Sequence, residues 1–267
     1  MDKSYTNELI NYITTVGKEL VEKSGEIKDI GVKKQWSTEW DTKIERGIKE
    51  IIDRIPGEHQ FYSEEENDNF INAESVWVAD PISGTKRLIE GLDNYAIAVG
   101  HMTHGKADFA VVYNPTADKL YVAYKNEGVF INNEKYNINR QNKNRIIYAP
   151  SYKLKDPDVI KKAEQLRKLL EKEYELYPSQ GAFALNYCLV AEGSFDGIVC
   201  LQNDAFPEFA GCFIANESGM TATNIHGDKN ISPDDRVFVC GDERNYERLL
   251  ELTREVVTVV NNKRLMV

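Results

Sequence analysis

The residues best suited to chemistry fall between positions 61 and 90. Glu64 and Glu65 follow the short run Gln60-Phe61-Tyr62, and Asp80 closes a second apolar run, Val76-Trp77-Val78-Ala79. Carboxylates delivered from the ends of neighbouring strands make a hard, all-oxygen environment. Such a setting suits Mg²⁺, which takes one or two carboxylates and completes its shell with water and phosphate oxygens. Asp80 is followed by Pro81-Ile82-Ser83-Gly84-Thr85-Lys86-Arg87. Ser83-Gly84-Thr85 leading into a short apolar turn has the texture of a helix start, whose free N–H groups and positive dipole end receive a phosphate. Lys86 and Arg87 add cationic charge beside it. The competing reading is a solvated acidic loop followed by an ordinary turn, and local composition alone does not separate the two.

Positioning these side chains requires a scaffold, and hydrophobic spacing outlines one. Positions 5–22 carry Leu9, Ile10, Ile13, Val16, Leu20 and Val21 at helical intervals, and 41–55 repeats the pattern with Ile44, Ile48, Ile51, Ile52 and Ile55 before Pro56-Gly57 ends it. Strands are expected at 95–99, 108–113, 120–124 and 128–131, with Asn114-Pro115 and Asn126-Glu127-Gly128 as turns. The second half alternates helices at 156–172, 181–191, 208–218 and 245–261 with strands at 195–201 and 236–240. Two helices, a run of antiparallel strands and then an alternation imply a layered α+β or α/β architecture rather than a plain βαβ repeat. The polar stretch 137–145 reads as a loop. We therefore expect an N-terminal α+β half over 1–145 that carries the metal and phosphate motifs. A C-terminal α/β half over 146–267 would complete the cleft within one compact unit.

Composition narrows the function classes. The chain has 267 residues, 33 Lys+Arg against 43 Asp+Glu and a net charge of −10, which argues against a nucleic-acid or membrane-surface binder because both rely on cationic footprints. Hydrophobic residues at 42% and charged residues at 28% are ordinary for a soluble globular chain. No apolar run approaches the roughly 18 residues of a membrane span, and Met1-Asp2-Lys3-Ser4-Tyr5 lacks a signal-peptide layout, so a cytoplasmic location is expected. Cys188, Cys200, Cys212 and Cys240 lack zinc-ligand spacing and sit among apolar residues, as buried small hydrophobes do. Among four histidines the only close pair is His101 and His104, expected as surface or loop chemistry near a strand end rather than a metal site.

Taken together, Trp77-Val78-Ala79-Asp80-Pro81-Ile82-Ser83-Gly84-Thr85 resembles the W-x-x-D-P-x-D-G-T signature of the inositol monophosphatase family, Mg²⁺-dependent phosphatases related to the fructose bisphosphatases. The likeness extends along the chain. Phe61-Tyr62-Ser63-Glu64-Glu65 is similar to the family's G-E-E segment, and Thr38-Glu39-Trp40-Asp41 to its T-x-x-D. Val111-Val112-Tyr113-Asn114-Pro115 with Asn126-Glu127-Gly128 resembles its central hairpin. Asn186 to Gly193 with Asp196, and Glu217-Ser218-Gly219, resemble its later helix, strand and E-A-G. The resemblance implies a layered αβαβα sandwich, usually a homodimer. It implies Glu64, Asp80 and the Ile82 carbonyl as Mg²⁺ ligands, with Glu65 nearby. Thr85, hydrogen-bonded to Asp41, would orient the attacking water, and Ser83, Gly84 and Thr85 would receive phosphate. Gly84-Thr85-Lys86 resembles the bisphosphate nucleotidase branch more than the inositol branch, which makes Lys86 and Arg87 candidates for substrate contact; a solvated lysine is the plainer reading.

Three positions depart from the family pattern. The second aspartate of the signature is Ser83, whose hydroxyl brings no charge to a divalent ion. The aspartate of the family's W-D-x-A-A-G helix start falls on Pro207 in Phe206-Pro207-Glu208-Phe209-Ala210-Gly211, leaving Glu208 or Asp204 as possible substitutes. The inositol-recognising acid aligns with Cys200. The water-activating half is thus retained, and the half that holds a second ion on the leaving oxygen is stripped. We expect one Mg²⁺ and hydrolysis of a small phosphorylated sugar, polyol or nucleotide bisphosphate. The alternatives are a phospho-metabolite binder without phosphatase activity and, more remotely, a structural or interaction role. Specificity is expected from the segments 36–40, 90–94, 178–183 and 202–206, with Trp36 and Trp40 as possible ligand covers or packed aromatics.

Overall fold

The computed structural model describes residues 3–31, 36–65, 69–138, 143–151, 154–202 and 206–257. Helices α1 (Lys3–Lys23) and α2 (Glu39–Ile52) come first, followed by β1 (Gln60–Ser63), β2 (Ser75–Ser83) and the short helix α3 (Thr85–Ile89). Strands β3 (Ala96–Thr103), β4 (Lys106–Asn114), β5 (Lys119–Tyr124), β6 (Gly128–Ile131) and β7 (Glu134–Lys135) complete the first half. The second half runs β8 (Arg145–Pro150), α4 (Pro157–Leu170), β9 (Glu175–Tyr177), α5 (Phe183–Ala191), β10 (Gly197–Leu201), α6 (Phe206–Glu217), β11 (Thr221–Asn224), β12 (Val237–Gly241) and α7 (Tyr246–Val256).

Two sheets organise these elements. The first has seven strands in sequence order, parallel between β1 and β2 and antiparallel thereafter. The second has five strands in the order β11-β12-β10-β8-β9, parallel across β10-β8-β9 and antiparallel at β12. Alternation along β2 explains the layering. Trp77 and Ala79 pack with Ile13, Ile44 and Ile48 of α1 and α2 on one face. Val76 and Val78, on the other face, pack with Phe209 and Cys212 of α6 and with Ile147 and Ile198 of the second sheet. Small residues Ala96, Ala98, Ala110 and Ala123 let α5 and α6 lie close to the first sheet, against Ala184, Cys188 and Ala210. Leu166 and Leu170 of α4 with Leu249 and Leu252 of α7 cover the far face of the second sheet. The order is α1–α2, sheet, α5–α6, sheet, α4–α7: the layered αβαβα sandwich.

Several boundaries differ from those read in the sequence. β2 does not stop at Asp80 but continues to Ser83, with a register shift against β3 between Asp80 and Ser83. Pro81 sits in that irregularity, where its missing N–H costs no ladder bond. β7, β8, β9 and β11 were not anticipated. β8 and β11 are short and largely buried, so they lack the polar alternation that marks a half-exposed strand. Within the described residues α7 ends at Val256, and positions 258–261 of the expected last helix lie outside them. No helix among the described residues is long and apolar enough to cross a membrane.

Candidate active site

Local chemistry at the start of α2 fixes Asp41. Thr38 is the N-cap: its hydroxyl accepts from the Trp40 and Asp41 N–H groups, while the Asp41 carboxylate accepts the Thr38 N–H at 2.8 Å and its O–H at 2.6 Å through Oδ2. This capping box holds one oxygen of a carboxylate that is 0% exposed. The other, Oδ1, accepts from the Thr85 hydroxyl at 3.0 Å. Thr85 Oγ1 also lies 2.9 Å from the Ile82 carbonyl oxygen. Thr38-Glu39-Trp40-Asp41 therefore serves twice, stopping one helix end and anchoring a residue 44 positions away.

β1 ends at Ser63 and releases Glu64 at its tip, next to β2, which carries Asp80. The register shift after Asp80 brings Ile82 and Ser83 round to the same opening, and Gly84 turns the chain into α3 with φ +88°. A side chain at that backbone angle is strained, which favours glycine where the chain turns into α3. Glu64, Asp80, Ile82, Ser83, Gly84, Thr85, Lys86 and Arg87 all line one cleft of about 330 Å³. Trp36, Glu90, Leu92, Ser179, Gly181, Phe183 and Gln202 form other parts of its wall. All four segments expected to set specificity thus contribute.

The remaining candidates divide. Lys86 Nζ lies 3.7 Å from Glu90 and 5.3 Å from the centre of the Trp36 ring, at the cleft wall. Arg87 donates through Nε to the Asp93 carbonyl at 2.6 Å, which ties it to its own turn. Glu65 is buried and does not line the cleft: its carboxylate accepts from Ser37 Oγ at 3.2 Å, and its N–H donates to Glu45 at 2.9 Å. Glu208 likewise does not line the cleft. It is 0% exposed, with the Cys200 thiol 4.0 Å from its Oε1. Only its neighbour Pro207 reaches the cleft wall, because successive side chains of a helix diverge by roughly 100°. Asp204 lies outside the described residues. Cys200 is fully buried, where burial pushes its thiol pKa well up, and Gln202 rather than Cys200 reaches the cleft. Sequence reasoning missed Pro150 and Ser151, which join the wall from the end of β8, a strand it had not seen.

The donor set fits a hard divalent cation. Glu64 and Asp80 share the cleft with Ile82, Glu90 stands at its wall beside Lys86, and no thiol or imidazole is among its lining residues. Among the described residues no group of three or more His, Cys, Asp or Glu side chains is arranged as a metal cage. One or two carboxylates, as Glu64 and Asp80 offer, are what Mg²⁺ asks of a protein when water and phosphate oxygens supply the rest.

The fold agrees with the comparisons. The chain belongs to the inositol monophosphatase family, whose model matches residues 3–258. It is 26% identical over 253 residues to an Aquifex aeolicus protein named fructose-1,6-bisphosphatase/inositol-1-monophosphatase, covering 91% of this chain and 92% of that one. Among solved structures it is similar to a Thermotoga maritima IMPase, with TM-score 0.79, 24% identity and coverage of 97% and 99% of the two chains. It is also similar to an IMPase/NADP phosphatase complexed with Mg²⁺ and phosphate, with TM-score 0.75, 21% identity and coverage of 94% of each chain.

Proposed function

We propose that the chain is a Mg²⁺-dependent phosphomonoesterase that hydrolyses a small phosphorylated sugar, polyol or nucleotide bisphosphate, with an altered second metal site. The observation that carries this reading is the Thr85–Asp41 hydrogen bond standing at a cleft that Glu64, Asp80 and the Ile82 carbonyl also line. The 1–145 half supplies all of these groups, and the 146–267 half closes the cleft with Ser151, Ser179 and Gln202. Glu64, Asp80 and the Ile82 carbonyl would hold one ion, which when bound supplies positive charge to the phosphoryl oxygens and makes water a usable nucleophile near neutral pH. Thr85, donating its proton to Asp41, keeps lone pairs free to accept from the attacking water and so aims it. The N–H groups of Gly84 and Thr85 receive the phosphoryl oxygens, and Lys86 stands at the wall as the cation nearest the substrate's remainder. A homodimer in the cytoplasm belongs to the same reading, and sedimentation checks the assembly.

One observation favours a second reading, a phospho-metabolite binder without hydrolysis. Pro207 and Ser83 line the cleft at the positions where the family carries aspartates, and Glu208 is buried against Cys200 instead of reaching in. Without a charge on the leaving oxygen several kcal/mol of transition-state stabilisation are lost, and each 1.36 kcal/mol is about tenfold in rate. Phosphate release from a panel of phosphorylated sugars, polyols and nucleotide bisphosphates with Mg²⁺ separates the two. Turnover that disappears in Glu64→Gln supports hydrolysis. Silence across the panel, with Mg²⁺-dependent binding of one member, replaces it with the binder.

A further inference from the structure

Of the two histidines expected as surface or loop residues, His104 is exposed in the turn between β3 and β4, and His101 is not. His101 is buried, 4% exposed, at the register shift between β3 and β4, with the Trp77 ring centre 4.6 Å from its own. Its Nδ1 lies 2.6 Å from Asp108 Oδ1, and Thr103 Oγ1 donates to Asp108 Oδ2 at 2.6 Å. Its Nε2 lies 2.8 Å from Ser75 Oγ, the first residue of β2. A second imidazole, His59 Nδ1, approaches the same hydroxyl at 2.6 Å.

Proton counting orders this chain. A neutral His101 must carry its proton on Nδ1, because that nitrogen faces a carboxylate with no proton to give. Its Nε2 is then an acceptor, so the single Ser75 proton points to it. Ser75 Oγ in turn accepts from His59 Nδ1–H, at the expense of only the longer 3.3 Å contact between His59 Nε2 and the Pro56 carbonyl. The same atoms, carboxylate to Nδ1 and Nε2 to hydroxyl, constitute an acyl-transfer triad, with Thr103 steadying the acid. Asp108 is held below the ordinary aspartate range: burial acts against this, and the hydrogen bonds from His101 and Thr103 outweigh it. Ser75, His101 and His59 line a separate cleft of about 800 Å³ whose apolar wall includes Tyr5, Ile55, Pro56 and Trp77.

We infer that Ser75, His101 and Asp108 form a second catalytic site, a serine hydrolase site for a small carboxylic ester with an apolar acyl group. Ser75 Oγ bonds to the carbonyl carbon and its proton passes to His101 Nε2. The carbon–oxygen bond to the alcohol then breaks, and the alcohol leaves with that proton. Water, deprotonated by His101, releases the acid and restores Ser75. Attack consumes the Oγ lone pair that His59 had engaged, freeing the His59 N–H for the oxygen that gains charge. Asp108 is a positioning residue.

The full chain is treated with a fluorophosphonate probe and mapped by peptide mass spectrometry, and turnover of p-nitrophenyl butyrate is followed in parallel. We expect a single adduct on Ser75, lost in Ser75→Ala, with ester turnover falling about a hundredfold or more in His101→Ala, the scale of general-base catalysis. Asp108→Asn should lower kcat with KM within about twofold, as loss of a transition-state interaction does and a collapsed cleft does not. Unlabelled Ser75 in the wild-type protein, or ester turnover unchanged in a folded Ser75→Ala, overturns the site and leaves the chain of bonds as a structural tie between strands.

Discussion

Replacing Thr85 by valine tests the water-orienting half of the proposed phosphatase most directly, because the two side chains have the same shape and differ by one hydroxyl. That hydroxyl donates to Asp41 Oδ1 at 3.0 Å, and the carboxylate is fully buried. Hydrogen bonds to charged groups contribute about 1.5–3 kcal/mol net, so Thr85→Val should destabilise by that amount. In a chain of this size each kcal/mol moves Tm by roughly 2–4 °C, which gives a fall of roughly 3–12 °C. The capping bonds from Thr38 to Oδ2 survive, so α2 should keep its start. The kinetic effect is separate. A nucleophile misplaced by about 1 Å costs about a hundredfold, equivalent to about 2.7 kcal/mol in the barrier. Phosphate release at saturating Mg²⁺ should therefore show kcat down about a hundredfold with KM little changed, since Gly84 still offers its N–H. Thr85→Ser restores the hydroxyl and should recover most of the rate. A valine variant that shows the expected loss of Tm yet turns over like wild type refutes the orienting role, because the hydrogen bond would then serve stability alone.

Two further outcomes follow from the same geometry. Ser83→Asp with Pro207→Asp returns carboxylates to the cleft wall, and Asp at the second position of α6 also suits that helix start. The double variant should lose stability without Mg²⁺, because like charges then face Asp80, and should gain more Tm than wild type as Mg²⁺ is added; equal Mg²⁺ responses would count against a second ion site there. Asp108 has a depressed pKa in the folded chain, so its hydrogen bonds contribute stability above the unfolded value and lose it as pH falls through the folded one. Urea melts of wild type and Asp108→Asn should differ at pH 7 and converge as pH falls below the ordinary aspartate range, and a gap that stays constant as the pH is lowered contradicts the assignment.

Much of this was legible in the sequence because it rests on short-range rules. Thr38 and Asp41 have the spacing of a capping box, which also holds Asp41 beside Thr85, and Ser83-Gly84-Thr85 reads as the helix start that α3 supplies. Pairs brought together by packing were not legible. Nothing local says that the side chain of Glu208 would turn to Cys200 while Pro207, its neighbour in the chain, took the cleft. Glu65 resembled Glu64 in every sequence property, and burial under Ser37 and Glu45 decides between them. The histidine chain is the extreme case: His59, Ser75, His101 and Asp108 span 49 positions on four segments, and only the strand register assembles them.

β2 explains why both clefts can coexist. Its middle, Val76 to Ala79, is buried on both faces between α2 and α6, so the strand cannot pivot without breaking two layers of core. Its ends are where regular pairing stops, at Ser75 on one side and at the Asp80–Ser83 register shift on the other. Polar side chains at those ends escape the core, and the strand's rigidity holds each in place. Five residues at about 3.3 Å per residue put Ser75 and Asp80 about 17 Å apart. That separation exceeds the range over which substitutions usually couple. The proposed ester and phosphate chemistries therefore draw on one structural element while remaining independent in energy.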